Sequence, residues 1–262
     1  MIALGFLVFA ALTAIFASVI APQDPNATSL REILNPPSGA HWLGTDDVGR
    51  DVLSRLIFAS RASLLASVQA VTIAVVVGVT IGVISGYLGG WVDVVLMRVT
   101  DALLSVPGLL MAMAVIGILG PGLTNAMVGL AIVFSPSFMR LARGQVLAVK
   151  EEPFMEAARS VGVSDVKIIF RHVLPNIASP IVVQILMTMG FALLAEGALS
   201  YLGLSIQPPT PSWGSMLQRA FAFNNKAPWL IFIPGLAIML TIWAFNVLGD
   251  GLRDALSSRD VG

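Results

Sequence analysis

The chain has 262 residues, with 15 basic and 15 acidic side chains and so no net charge; 56% of its residues are hydrophobic, 11% are charged, and mean hydropathy is +0.88. That balance lies outside the range of soluble domains and points to a lipid bilayer, while the zero net charge gives nucleic acid or an acidic polymer no electrostatic footprint. The absence of cysteine and the two widely separated histidines exclude disulfides, thiolate metal sites, cysteine nucleophiles and a histidine metal cluster.

In chain order, Met1–Ala21 carries no charge and is long enough to span a bilayer core. It lacks the basic start of a secretory signal, and Pro22 follows directly on Ala21, so a retained helix is expected; the missing basic flank points to a natural start further upstream. Pro22–Leu65 mixes turn residues with a helix-like Asp51–Ser63, whose Leu53, Leu56, Ile57 and Leu64 suit a helix lying along the membrane surface. Ala62–Val92 is uncharged and holds one crossing centred near Val77. In it a small residue recurs at every fourth position: Ala66, Ala70, Ala74, Gly78, Gly82, Gly86 and Gly90. Gly and Ala are common in membrane helices, but this register lets two backbones approach closely. A four-residue repeat exceeds the helical period, so the strip winds, and three or four members, Gly78, Gly82 and Gly86 foremost, are expected at one neighbour.

Ala102–Met139 is uncharged and too long for one crossing; Gly120-Pro121-Gly122 divides it into two helices of about 20 residues in a tight hairpin. Asp101, one turn from Arg98, is expected to pair with it. Pro107, Pro136, Pro180 and Pro234 lie within or beside helices and kink them. The fifth crossing runs from Ile177 to about Ser200. Glu196, in its outer third, is expected to face the bundle or a watery cavity, as a pathway-lining group or against a polar partner. Ile206–Lys226 reads as a fixed, turn-laden loop, and Pro228–Leu248 as the last crossing. Trp91, Trp213 and Trp229 fall near helix ends, where indoles favour the water–lipid boundary. The sum is an all-α polytopic chain of six crossings.

The most informative stretch is the polar island Glu151–Asn176. Pro153 suits the first position of a helix that places Phe154, Ala157, Ala158 and Val161 on one face. Gly162 suits a left-handed stop and Ser164 a new cap. In the second helix Val166, Ile169, Phe170 and Val173 share a face, Lys167 and Arg171 another, and Pro175 ends it. With this island inside, the inner side holds Arg98, Arg140, Arg143, Lys150, Arg159, Lys167, Arg171, Arg253 and Arg259, against Arg31, Arg50, Arg55, Arg61, Arg219 and Lys226 outside, a modest positive-inside bias. No GxxxxGK[ST] phosphate loop occurs, so any ATP used must be hydrolysed by another polypeptide.

Glu156-Ala157-Ala158, then Gly162, then Leu174-Pro175 resembles the EAA loop of permeases of ABC importers; the departure is His172, where that family usually has isoleucine. His41-Trp42-Leu43-Gly44-Thr45-Asp46 with Gly49-Arg50-Asp51 is similar to the external segment of the dipeptide/oligopeptide/nickel branch. So are Leu199–Leu204, Gln207-Pro208-Pro209 with Ser212-Trp213-Gly214, and the ending Ala244-Phe245-Asn246 with Gly249–Asp254. The resemblance implies a type I importer permease fold, with a first helix and external segment over 1–61 and a five-helix core over 62–262 that contains a coupling loop at 144–176. It further implies both termini inside the cell membrane and an ATPase contact at Phe154, Glu156, Ala157, Ala158 and Gly162. The implied partners are a second permease subunit, two ATPase subunits that bind ATP and magnesium, and an external solute-binding protein. This chain would hold no cofactor and be no enzyme. Di- or oligopeptides are the expected solute, with nickel or a glutathione-like compound as alternatives. An ion-coupled secondary transporter is the rival class, but helix interiors almost devoid of charge and the lack of an internal repeat speak against it. An intramembrane enzyme is disfavoured because both histidines fall in loops.

Overall fold

In the computed structural model, residues 1–257 are described; Arg259, assigned above to the inner side, lies outside them. Four helices are long and apolar enough to cross a membrane. These are α3 (Val52–Leu88), α6 (Leu123–Lys150), α9 (Leu174–Tyr201) with the turns leading into it, and α11 (Trp229–Ser257). A first apolar helix, α1 (Ile2–Ile15), continues after a break at Phe16 into the single turn α2 (Ala17–Ile20). Between α3 and α6, α4 (Gly90–Leu104) and α5 (Gly108–Leu119) form a broken span bent by 94°. Six apolar units therefore stand where six crossings were expected, but the third is not a straight helix over 102–120. Pro107 is the N-cap of α5, and it forces extended backbone where the helix would have to continue.

A second correction concerns α3. The surface helix expected at Asp51–Ser63 is continuous with the next crossing, and together they make one helix of 37 residues. The boundary drawn at 61/62 thus falls inside α3. Asp51 caps this helix by accepting from Ser54 N at 2.8 Å, and its other oxygen meets His41 Nδ1 at 2.9 Å, so the segment before α3 is tied to the start of that helix. Leu56 and Leu64 pack against α10 (Trp213–Ala222) and α11 instead of lying on lipid headgroups. Trp213, expected as an interfacial anchor, is buried there, and its Nε1 donates to Leu56 O at 3.3 Å. Trp91 is 82% exposed, as an anchor would be.

The central contact joins α3 to α6. A Cβ on Gly78 would lie 2.6 Å from Ser135 O, one on Gly82 2.5 Å from Met139 O, and one on Gly86 3.0 Å from Arg143 O. Three glycines one turn apart therefore meet three carbonyls one turn apart, and backbone touches backbone where any side chain would intervene. Ala66, Ala70 and Ala74 extend the buried strip toward the other end of α3. Gly90 does not take part: it follows the break at Gly89, with positive φ and open space around it. Pro136 sits inside α6, and the Ile132 carbonyl that it frees accepts from Ser135 Oγ at 3.2 Å.

Overpacking of this contact costs about 1–3 kcal/mol or more per site. Gly82→Leu and Gly86→Leu are expected to lower the yield of folded, detergent-extracted protein several-fold, as destabilisation of that size does. Val76→Leu, at a position 61% exposed, should match the parent. Equal yields of all three by size-exclusion chromatography would show that the contact does not hold the fold.

Candidate functional site

The polar island folds into a hairpin at one end of the bundle: α7 (Pro153–Ser160), α8 (Asp165–Ile168) and a π-turn, Ile169–Val173, that runs straight into α9. Pro153 occupies the first turn of α7, and Gly162 adopts φ +76°, the left-handed stop foreseen for it. Ser164 is the N-cap of α8, though its side chain makes no capping bond. Pro175 does not end the second helix. It lies in the first turn of α9, directly after the π-turn, whose wider ring absorbs the bond that proline cannot make. Asp165 to Tyr201 is thus one continuous 37-residue helical run.

Burial reverses much of the expected facing. Of the set Phe154, Ala157, Ala158 and Val161, Ala158 alone is buried, and the anchor of α7 is the fully buried Met155. In the second arm Ile168 and Val173 point inward while Val166 and Phe170 are 66% and 69% exposed. The cause is the π-turn: inward positions separated by five residues follow its i→i+5 geometry, whereas a 3.6-residue reading shifts the face by one. Met155, Ala158, Ile168 and Val173 pack with Val83 and Tyr87 of α3, Ala142 and Val146 of α6, and Ile177 and Ile181 of α9. Facing outward remain Phe154, Ala157, Val161, Val166 and Phe170, with the exposed Glu152, Glu156, Arg159, Lys167 and Arg171 around them. Phe154 and His172 bridge the two arms, ring centroids 6.0 Å apart.

Polar contacts that the sequence reading missed brace the base of this hairpin. Tyr87 Oη donates to Asp165 Oδ1 at 2.5 Å, and Lys150 Nζ donates to Tyr87 O at 3.0 Å and Gly86 O at 3.3 Å. The Lys150 and Arg159 cations each lie 5.9 Å from the Tyr87 ring. Next to them Arg143 grips Asp93 through both carboxylate oxygens, at 2.5 and 2.6 Å, and Ser85 Oγ donates to the same group at 2.5 Å, so α3, α4 and α6 are pinned together. Asp101 pairs with Arg140 of α6 at 2.6 Å, not with Arg98. The hairpin between α5 and α6 brings α6 back beside α4, and a partner from another helix outcompetes the local one. A lone tyrosine closing an uncharged run was the one available signal for Tyr87.

Glu196 is 1% exposed and sits against a polar partner within the bundle. Its Oε1 accepts from Ser200 Oγ at 2.6 Å, with the Ser63 and Ser205 hydroxyls beside the carboxylate. A cleft of about 860 Å³ opens between α9 and α11, lined by Leu194, Tyr201, Met239, Trp243 and Asn246 among others. Gly78, Gly82 and Gly86 sit at the α3–α6 contact described above.

Removing the Tyr87–Asp165 bond costs roughly 1–3 kcal/mol locally. Tyr87→Phe should therefore speed limited proteolysis within the hairpin several-fold while leaving the helical content unchanged. Cleavage at the parent rate would mean that the brace contributes nothing.

Comparison with known sequences gives one answer along the whole chain. A family profile described as binding-protein-dependent transport system inner membrane component matches residues 78–259, and a second, the N-terminal TM domain of oligopeptide transport permease C, matches 1–37. The dipeptide transport system permease protein DppC of Alkalihalophilus pseudofirmus is 42% identical over 95% of this chain and 82% of its own length. The glutathione transport system permease protein GsiD of Shigella flexneri serotype 5b is 48% identical over 98% of this chain and 85% of its own. Among solved structures, an inward-facing MetNI methionine ABC transporter superposes with a TM-score of 0.61 at 17% identity, covering 76% of this chain and 95% of that one, which shows a shared fold.

Proposed function

The chain belongs to the binding-protein-dependent transport system inner membrane component family, the permeases of ABC importers, and on that premise we propose that it forms one half of a peptide pathway. A second, related permease subunit supplies the other half. Two ATPase subunits bind ATP and magnesium and dock on the inner hairpins, and a solute-binding protein delivers the cargo to the opposite face. The observation that carries this reading is the hairpin itself: an outward apolar patch of Phe154, Val161, Val166 and Phe170, rimmed by charges, on a base braced by Tyr87 and Lys150. A rigid, amphipathic knob of that kind suits a groove on a partner protein. Phe154, Glu156, Ala157, Ala158 and Gly162 are proposed as the ATPase contact, Ala158 acting from beneath as a packing residue. On this reading both termini lie in the cytoplasm.

Nucleotide binding drives such a machine only if it favours one conformation over the other, so closure of the ATPases must be felt by the hairpin. A stiff hairpin transmits such a displacement and a loose one absorbs it. For the solute, the relatives named for dipeptide and glutathione transport support a short peptide or a peptide-like compound.

The pure chain is expected to hydrolyse no ATP. The reconstituted assembly should hydrolyse it about fivefold or more faster with receptor and cargo together than with either alone, the span of a typical coupling energy between distant sites. Gly162→Val, which forces a β-branched residue to φ +76°, should abolish that stimulation. Dialanine, reduced glutathione and nickel are the cargo arms. Turnover by the pure chain, or an unstimulated assembly, defeats the mechanism; stimulation with nickel alone keeps the importer and replaces the solute.

A further inference from the structure

At the end of α9 away from the hairpin lies a buried polar knot that the transport reading leaves unused. Glu196 is almost wholly enclosed, and among the described residues no lysine, arginine or histidine forms an ion pair with it. Its partners are hydroxyls. Ser200 donates to its carboxylate at 2.6 Å and accepts from Ser212 Oγ at 3.2 Å. Ser212 is also the N-cap of α10, in a reciprocal box with Ser215. The next residue, Trp213, donates its backbone N–H to Ser63 Oγ of α3 at 3.2 Å, and a Cβ on Gly214 would stand 2.5 Å from Gly197 O. The first turn of α10 is thereby seated directly on α9 beside the carboxylate. From its last turn Arg219 reaches Asp47 of the external segment at 3.0 Å.

An acid held in a membrane helix by hydroxyls alone is a costly way to fill space, since an apolar side chain of that size would pack with less loss. What it supplies is direction: a carboxylate accepts several donors at once and fixes their mutual placement. We propose that Glu196 is a positioning residue that locks α10 onto α9, so that α10, α9 and the hairpin, with α3 bonded at both ends of the run, move as one lever when the solute-binding protein loads the α10 face. The helical run from Asp165 to Tyr201, 37 residues and about 55 Å at the usual rise, is the arm. The Tyr87–Asp165 bond sits at its hairpin end and the Glu196 knot near the other. The alternative is a hinged α10 that moves against α9 during the cycle. The lever rests on the importer reading above, and the test separates the two.

The chain contains no cysteine, so Ser200→Cys with Ser212→Cys places two thiols of its own where hydroxyls stand 3.2 Å apart, within reach of a disulfide. In the nanodisc assembly with ATPase subunits, second permease and receptor, driven by dialanine or the non-reducing probe S-methylglutathione, the oxidised lock should keep receptor stimulation. Glu196→Ala should cut the stimulation about fivefold or more while the basal rate changes little. Glu196→Gln, whose amide oxygen still accepts from Ser200, should restore most of it. Hydrogen exchange at amides 213–216 reads the lock without receptor: Glu196→Ala should accelerate it about tenfold and Glu196→Gln far less. Should Glu196→Ala assemble poorly, Ser200→Ala is expected to give the same two losses. Loss of stimulation in the oxidised lock, or unchanged exchange in Glu196→Ala, overturns the lever. If the unmodified assembly ignores its receptor, the function reading fails and the exchange data alone decide the lock.

Discussion

The approach of α3 to α6 is the constraint on which the remainder depends. In lipid no hydrophobic effect drives helices together, so a contact must be earned by packing that acyl chains cannot match. Gly78, Gly82 and Gly86 meet the carbonyls of Ser135, Met139 and Arg143, which brings the two longest-packed helices into backbone contact. That contact also fixes where their ends emerge. Tyr87 and Lys150, at the ends of α3 and α6, meet because Gly86 and Val146 already touch, and on that meeting the hairpin is built.

Charge is placed with the same economy. Asp93 with Arg143 and Asp101 with Arg140 tie α4 to α6 toward the hairpin end, and Asp46, Asp47, Arg50, Arg55 and Arg219 form a cluster at the other. Between these layers the spans are held by small residues and by hydroxyls bonded to the preceding turn, as Ser67, Thr188 and Thr241 are. Glu196 is the exception within a span, and it is buried against other helices, away from lipid, as the cost of an exposed charge there requires.

The existence of the elements and the first arm of the hairpin were legible from residues alone. Uncharged runs marked the spans, Gly120-Pro121-Gly122 marked the α5–α6 hairpin, and Pro153 and Gly162 bounded α7. Those signals are local: a proline or a left-handed glycine acts on its own backbone. What stayed hidden was set at a distance. Nothing local tells that Asp51 caps a helix continuing into the bilayer, because that continuity is stabilised by Trp213 and Leu230, far along the chain. The facing of Val166 and Phe170 depended on a π-turn, which carries no composition signature. Asp101 chose Arg140 because of the hairpin that brings α6 back, and Met155 became the anchor of α7 because Val83 and Ile177 surround it.

What a permease subunit contributes to transport follows from this placement of bonds. Its share is geometry: long helices that stay in register and a knob whose outward patch is stiffened from beneath. Stiffness is needed because a partner's closure does work on a transport site only if the connecting parts do not yield first. The charge-assisted bonds of this region are Tyr87–Asp165 at the hairpin and Arg143–Asp93 beside it. Along the spans, α3, α5, α6, α9 and α11 meet through alanines and larger apolar side chains, whose contacts have no preferred direction. Directional bonds near the ends of the spans and non-directional packing along them together hold the helices in register.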